Sequence, residues 1–334
     1  MCPASRTVPF RRLLVAALWG CILSPALLGQ TAPGLNPERA IAQYAHTAWR
    51  LQDGYFNGRV RSIAQTADGY IWFATRNGLF RFDGIRFVPW SPPEGGELAM
   101  RSIRFIKGGL DGSLWIGGRE GLFRWKDQRL QRIAGVPGPV TQIAEDRGGT
   151  IWVARDADNN PAGTLCRVSG NLGRCLNAAD GIPSSIGTDE SLTTDAAGSV
   201  WMGTPEALVQ WNGTSSRIYR PRGLIANHSA GITALAADRD GSMWVGMPLP
   251  GKGLGLEHLI AGRWEPLCTP QLDGSRLTVT DLFFDHSGAL WIGSGDRGLF
   301  RYWNGQVDHF GRAEGLSSDF VSSDFVEGRA ILAG

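Results

Sequence analysis

The chain has 334 residues, 43% of them hydrophobic, with 46 glycines, 13 tryptophans and a formal charge of +2, a composition that suits many tight turns and large aromatic wedges. Of its 33 basic residues, Arg6, Arg11 and Arg12 fall in the first 30 positions, where there is no acid; the remaining 30 face 31 acids without any run of lysine or arginine. That balance argues against nucleic acid and anionic membrane surfaces as partners.

Residues 1–30 follow an export pattern: a basic start, an apolar run from Leu13 to Leu23, then Ser24, Pro25, Ala26 and Gly29 near a cleavage point. This predicts a signal peptide and a periplasmic or secreted protein. The apolar run is short for a spanning helix, and Trp19 and Gly20 make a poor lipid-attachment context for Cys21.

From residue 44 to 334 the chain reads as one repetitive domain. In the first repeat Val60 to Gln65 forms a strand, Ala67-Asp68-Gly69 a turn, and Tyr70 to Thr75 a second strand. Asn77-Gly78 turns the chain into Leu79 to Phe82, and Asp83-Gly84 turns it again into Ile85 to Trp90. Asn-Gly and Asp-Gly tolerate the positive φ of tight hairpins, so the unit is a four-stranded antiparallel meander. The turn and second strand recur around Trp115, Trp152, Trp201, Trp244 and Trp291, at spacings of 43, 37, 49, 43 and 47 residues, a period that fits a propeller blade. Loops lengthen the third repeat at Arg155 to Pro161 and the fifth at Met247 to Gly253.

Successive apolar residues such as Ile71, Trp72 and Phe73 require sheets buried on both faces, as blades packed on their neighbours are. The Gly or Ala two residues after each tryptophan would allow close approach near the axis. The expected fold is all-β: a propeller of six complete four-stranded blades plus a partial seventh from 317 to 334. Ala45 to Leu51 would complete that last blade as its outer strand.

Cys166 and Cys175 flank a short hairpin in the third repeat. If Gly170-Asn171 is a two-residue loop, Ser169 pairs with Leu172, Val168 with Gly173 and Cys166 with Cys175, within reach of a disulfide in an oxidising compartment. Two buried thiols are the alternative. Cys2 and Cys21 would leave with the signal, and Cys268 has no obvious partner.

Chemistry is sparse. His46, His228, His258, His286 and His309 are scattered without metal-ligand spacing, and no serine sits in a nucleophile elbow; no cofactor and no catalytic residue is expected. The loop Gly251 to Gly255 lacks the following helix that a phosphate cradle needs. Acids at Asp146, Asp195, Asp238 and Asp285 precede the turn into each tryptophan strand, but the first two copies have Thr66 and Gly109 there, so turn capping explains them more simply than calcium. A ligand face, if present, lies at the channel mouth, where second-to-third-strand loops and blade links gather. Those loops carry Arg76, Asn77, Arg119, Glu120, Arg155 and Asp156, and further round Glu206, Lys252, Asp296 and Arg297, with Arg59 and Arg101 at the start of inner strands. Their mixed charge suits a polar or carbohydrate ligand, although exposed loops are commonly charged for solubility alone.

The pattern Asp-Gly-x-aliphatic-Trp-aliphatic-Gly/Ala, followed by Gly-Leu-Phe-Arg-aromatic as at Gly121 to Trp125 and Gly298 to Tyr302, resembles the two-component regulator propeller repeat. Thr47 to Gly54 is similar to the start of that family's propellers. The resemblance implies a non-enzymatic extracytoplasmic sensor or interaction domain of hybrid histidine kinases or diguanylate cyclases, with self-association through propeller faces conceivable. It also implies membrane attachment only through downstream segments that this chain lacks. An exported propeller enzyme of streptogramin-lyase type is the alternative, and would need a histidine and a carboxylate, such as His228 or His258 with Glu206 or Asp296, converging at the channel mouth.

Overall fold

A computed structural model of the protein describes residues 58–92, 102–155, 163–182, 191–224 and 231–321, with 38, 39, 43, 44, 47, 49 and 53–55 towards the N-terminus. Residues 1–30, where a signal peptide is expected, and residues 322–334 lie outside the described residues, as do Arg101, Asp156, His228 and most of 45–51.

Six four-stranded antiparallel sheets succeed one another in a ring, a six-bladed β-propeller. Blade one comprises β1 (Val60–Gln65), β2 (Ile71–Thr75), β3 (Gly78–Phe82) and β4 (Phe87–Trp90). Blade two comprises β5 (Ile103–Gly108), β6 (Leu114–Gly118), β7 (Gly121–Lys126) and β8 (Arg129–Arg132). Blade three comprises β9 (Val140–Glu145), β10 (Ile151–Arg155), β11 (Leu165–Ser169) and β12 (Leu172–Leu176). Blade four comprises β13 (Leu192–Thr194), β14 (Val200–Gly203), β15 (Leu208–Trp211) and β16 (Ser216–Tyr219). Blade five comprises β17 (Ala234–Ala237), β18 (Met243–Gly246), β19 (Leu256–Ile260) and β20 (Arg263–Pro266). Blade six comprises β21 (Val279–Phe284), β22 (Leu290–Ser294), β23 (Gly298–Trp303) and β24 (Gln306–Phe310). Among the described residues the helical elements are short 3-10 turns, and no helix is long and apolar enough to cross a membrane.

The apolar clusters lie between blades. Trp72 and Ala74 of blade one pack on Ile103, Ile106 and Phe123 of blade two, Trp115 on Val140 and Val153 of blade three, and Trp152 on Val200 and Val209 of blade four. The pattern continues through Trp201 and Trp244. All six repeat tryptophans are 3–6% exposed, and at each of the five junctions from blade one to blade six one blade buries a face on the next, so no blade can stand alone. A Cβ on Gly117 would sit 2.4 Å from Val140 Cγ1, and one on Gly246 only 2.3 Å from Val279 Cγ1. The small residue after each tryptophan pair therefore lets the next blade's inner strand close in.

The repeating turn acids bind the tryptophans. Asp195 Oδ1 accepts from the backbone N–H groups of Ala197 and Ser199, and its Oδ2 accepts from Trp201 Nε1 at 2.8 Å. Asp146, Asp238 and Asp285 accept from Trp152, Trp244 and Trp291 in the same way, and Thr66 Oγ1 takes that role for Trp72. In blade two the position is Gly109, and Trp115 Nε1 is buried without a partner among the described residues.

The arginine of the third strand stands directly across from the tryptophan: Trp72 opposite Arg81, Trp115 opposite Arg124, Trp152 opposite Arg167, Trp291 opposite Arg301. Each guanidinium lies within 5.3–6.0 Å of its ring centroid, within cation–π range. Blade five replaces it with His258, stacked on Trp244 at 3.8 Å.

Cys166 and Cys175 are directly opposed on β11 and β12 and joined in a disulfide, with Ser169 opposite Leu172 as expected. Cys268 is disulfide-bonded as well, contrary to the expectation that it lacks a partner. The expected partial seventh blade, 317–334, lies outside the described residues from 322 onward. Residues 311–321 run beside blade six: Val321 donates its N–H to Ser294 O, and Thr280 Oγ1 donates to Val321 O at 2.6 Å.

Candidate functional site

The second-to-third-strand turns and the starts of the inner strands share one end of the ring. Arg76 N bonds Arg59 O, and Arg119 N bonds Ser102 O, which fixes Arg59 beside Arg76 and Asn77 in blade one, and Arg119 and Glu120 beside Ser102 in blade two. The equivalent bond in blade six runs from Gly295 N to Thr278 O, while in blade four, where Pro205 has no N–H to give, Thr204 O accepts from Ile232 N at the start of blade five's inner strand; Glu206, Asp296 and Arg297 thus stand at the same end. Ser and Thr side chains organise the turns. Thr75 Oγ1 accepts from Asn77 N and Thr204 Oγ1 from Glu206 N, each closing a local turn in place of a backbone bond.

The charges at this end differ in how they are held. Glu120 accepts from Ser102 Oγ, and Asp296 from Ser294 Oγ at 2.8 Å, so both are oriented within their own blades. Arg59, Arg76, Arg119, Glu206, Lys252 and Arg297 are exposed. Arg155 is not: it is 1% exposed, and its Nη1 donates to Gly163 O at 3.0 Å and contacts Cys175 Sγ at 3.4 Å. Burial lowers its pKa, and its Nε and Nη2 have no partner among the described residues. Spacing alone placed Arg155 with the loop residues, whereas it ends β10 with its side chain buried against Gly163 and Cys175. Arg101 and Asp156 lie outside the described residues.

Among the described residues the histidines do not build a reactive pair at this mouth; His228 lies outside them. His258 Nε2 lies 2.7 Å from Ser242 Oγ, and its ring covers Trp244. Ser242 belongs to the turn that enters β18, so His258 is turned towards the opposite end of the ring from Glu206 and Asp296. Burial lowers its pKa, opposed by the charges of Asp238, Asp240 and Glu265. His309 Nε2 contacts Arg297 O on the outer edge of blade six, and His286 lies in the turn before β22, where its carbonyl accepts from Arg239. Among the described residues no group of three or more His, Cys, Asp or Glu side chains could hold a metal ion. A buried acid that alternation in the sequence concealed is Glu257 on β19, 2% exposed, whose carboxyl burial pushes up to about 7.

Residues 54–77 match the family model of the two component regulator propeller, and the chain is a propeller that carries this repeat. The fold resembles the extracellular domain assigned to the hybrid two component system BT3049 of B. thetaiotaomicron, with a TM-score of 0.62 and 18% identity over 84% of this chain and 39% of that one. It resembles that assigned to BT4673 of the same organism with a TM-score of 0.61 and 17% identity, over 82% of this chain and 36% of that one. The chain thus spans little more than a third of either relative. Virginiamycin B lyase from Staphylococcus aureus aligns with a TM-score of 0.55 and 13% identity over 75% of this chain and 83% of that one. At the level of sequence no curated protein matches the chain.

Proposed function

We propose that this propeller is a non-enzymatic extracytoplasmic sensor or interaction module of a two-component signalling system, engaging a polar or carbohydrate ligand at the end of the ring where the second strands turn into the third. The observation that carries the reading is the repeat itself, matched to the two component regulator propeller over residues 54–77. The extracellular domains of similar fold agree with it. Fixed carboxylates at Glu120 and Asp296 beside exposed arginines give the mouth paired acceptors and donors, which is the chemistry that hydroxyl-rich ligands need.

The test is a thermal-shift screen of the protein with a panel of neutral and acidic oligosaccharides. A saturable rise in Tm that disappears in Arg119→Ala or Arg297→Ala supports the mouth as the ligand face. A rise that survives both substitutions places binding elsewhere. The second reading, a lyase of the streptogramin type, draws on the likeness to virginiamycin B lyase. The orientation of His258 disfavours it. Linearisation of a streptogramin B substrate by the purified protein would overturn the non-enzymatic reading.

A further inference from the structure

A second groove opens on the flank of the ring, between the outer parts of blades three and four, with a cavity volume of about 530 Å³. Its floor is the face of blade three that packs on blade four. At the start of β11 and the end of β12, Leu165 and Leu176 of this face are buried in the shared core. Two residue pairs along the same strands stand Arg167 and Arg174, directly opposed, and two pairs beyond them Ser169 opposite Leu172. The far wall is Trp211, Gly213 and Thr214 of the β15–β16 turn.

Both walls are fixed. Trp211 Nε1 donates to Asp180 O at 3.1 Å, and Ser216 Oγ donates to Gly181 O. Asn177 and Asp180 cap the intervening 3-10 turn reciprocally, and Asn212 Oδ1 accepts from the backbone of Thr214 and Ser215. A groove with rigid sides needs little ordering to bind.

The two arginines are what blade three does differently. In blade six the residue opposite the third-strand arginine is Asp308, which bonds Arg301 Nε at 3.1 Å; in blades one and two it is Val88 and Gln131. Blade three puts Arg174 at that place, so two guanidinium groups face each other across a strand pair, a like-charge opposition that ordinarily destabilises a sheet. Asp180, the single acid lining the groove among the described residues, bonds Arg174 Nη2 at 2.7 Å and leaves the rest of that fork and the exposed Arg167 to solvent. Beside this charge Leu172 is 63% exposed, an apolar surface in the same groove as the Trp211 indole.

We infer that the flank groove binds an amphipathic organic anion: its carboxylate taken by the Arg167 and Arg174 forks, its apolar body lying on Leu172 towards Trp211. Guanidinium forks match the planar carboxylate bidentately, and the cavity is within the usual range for small-molecule sites, roughly 300–1,000 Å³. This site is separate from the mouth, and its test does not depend on what binds there.

The experiment is a titration of the whole protein with 3-phenylpropionate, followed by the indole N–H resonance of Trp211 in a two-dimensional NMR spectrum. The expected result is a saturable shift of Trp211, with 3-phenylpropanol at least about tenfold weaker, a difference of about 1.4 kcal/mol. Arg174→Gln, which leaves Arg167 over Trp152, and the double variant Arg167→Gln with Arg174→Gln should each weaken the carboxylate at least about fivefold. Leu172→Ser should weaken carboxylate and alcohol alike. All three positions are exposed, and unmoved Trp201 and Trp244 resonances verify folding. Equal affinity for the alcohol, an unchanged titration in Arg174→Gln, the absence of saturation, or inorganic sulfate binding as tightly as the carboxylate would each overturn the assignment.

Discussion

At the scale of single residues the turn acids link sequence to architecture. Asp195 serves two backbone N–H groups and one buried indole, so Asp195→Ala leaves three donors without an acceptor. At about 1–3 kcal/mol for a buried group left unsatisfied, and with water reaching the turn, the expected loss is about 2–4 kcal/mol in denaturant unfolding. Asp195→Asn retains an oxygen for the backbone pair and should lose less than the alanine variant. The same reasoning makes Glu257 a pH-dependent element. Burial raises its folded pKa from the usual 4.5 to about 7, so the protonated form fits the fold and ionisation opposes it. Stability contributed by the neutral form is full below about pH 4.5 and lost as pH rises through 7, a change on the order of 3 kcal/mol. Unfolding midpoints at pH 5 and pH 8 should therefore diverge in the native protein more than in Glu257→Gln; identical pH dependence in the two proteins would contradict this. The indole acceptors were legible in part, as turn caps, because Asp at a fixed distance before Trp is visible in the chain. The Arg-over-Trp contacts were not, because they depend on the register between β2 and β3 type strands, which brings residues nine apart in blades one and two, ten apart in blade six and fifteen apart in blade three face to face.

The elements themselves were largely readable, since Asn-Gly, Asp-Gly and the alternation of apolar runs punctuate each blade, and the observed β1 to β4 depart from the reading by two residues at most. The Cys166–Cys175 bridge followed from counting outward from the Gly170-Asn171 loop, and Gly170 does adopt φ 59° there. Closing so short a loop constrains the unfolded chain by about 3 kcal/mol in the entropy model. Cys166→Ser with Cys175→Ser should lower the unfolding free energy by about 2–4 kcal/mol, and mass spectrometry of unreduced protein should recover one linked peptide. Where the strands meet across blades the tolerance is smaller. Gly246 faces Val279 Cγ1 at 2.3 Å from its would-be Cβ, with Ala234 Cβ at 3.1 Å on the other side. Gly246→Ala should thus push β21 outward and cost about 1–3 kcal/mol as overpacking, whereas Gly213→Ala, with nothing within 4 Å but φ 103°, should cost only the backbone strain of a turn. Equal losses at the two sites would show that blade spacing is not set by the small residue. Loop conformation was the part least readable: Arg155 belongs to a strand end whose side chain is covered, and nothing in its neighbours in sequence marks that.

For the whole molecule the question is how the sixth blade ends its run. Blade five is tied to the next inner strand by two bonds, Val279 N to Met247 O and Thr233 Oγ1 to Val279 O. Blade six makes the same two with Val321, through Ser294 O and Thr280 Oγ1. Met247 and Ser294 each lie three residues after their tryptophan, and Thr233 and Thr280 each lie eleven before, so Val321 holds the place at which a further inner strand would start. Next to it Asp319 O accepts from Gly298 N, and Leu316 packs against Trp291 and Phe310. On blade one the far face shows Phe73, Phe82 and Phe87 with Trp49 and Tyr55 laid over them, these last two 40% and 47% exposed. Among the described residues both flanks of this junction are thus capped by single segments, where every other junction joins two full sheets. Stability should be lowest here, since locally sparse apolar contact opens first. Val321→Pro removes the N–H that bonds Ser294 and should lower Tm by about 2–4 °C for each kcal/mol lost in a ring of this size, with amide exchange accelerating first in β21 to β24 and then in β1 to β4. If the ring instead seals as tightly as its other junctions, Val321→Pro will leave exchange in blade six no faster than in blade three, and the melting transition will stay as sharp as that of the native protein.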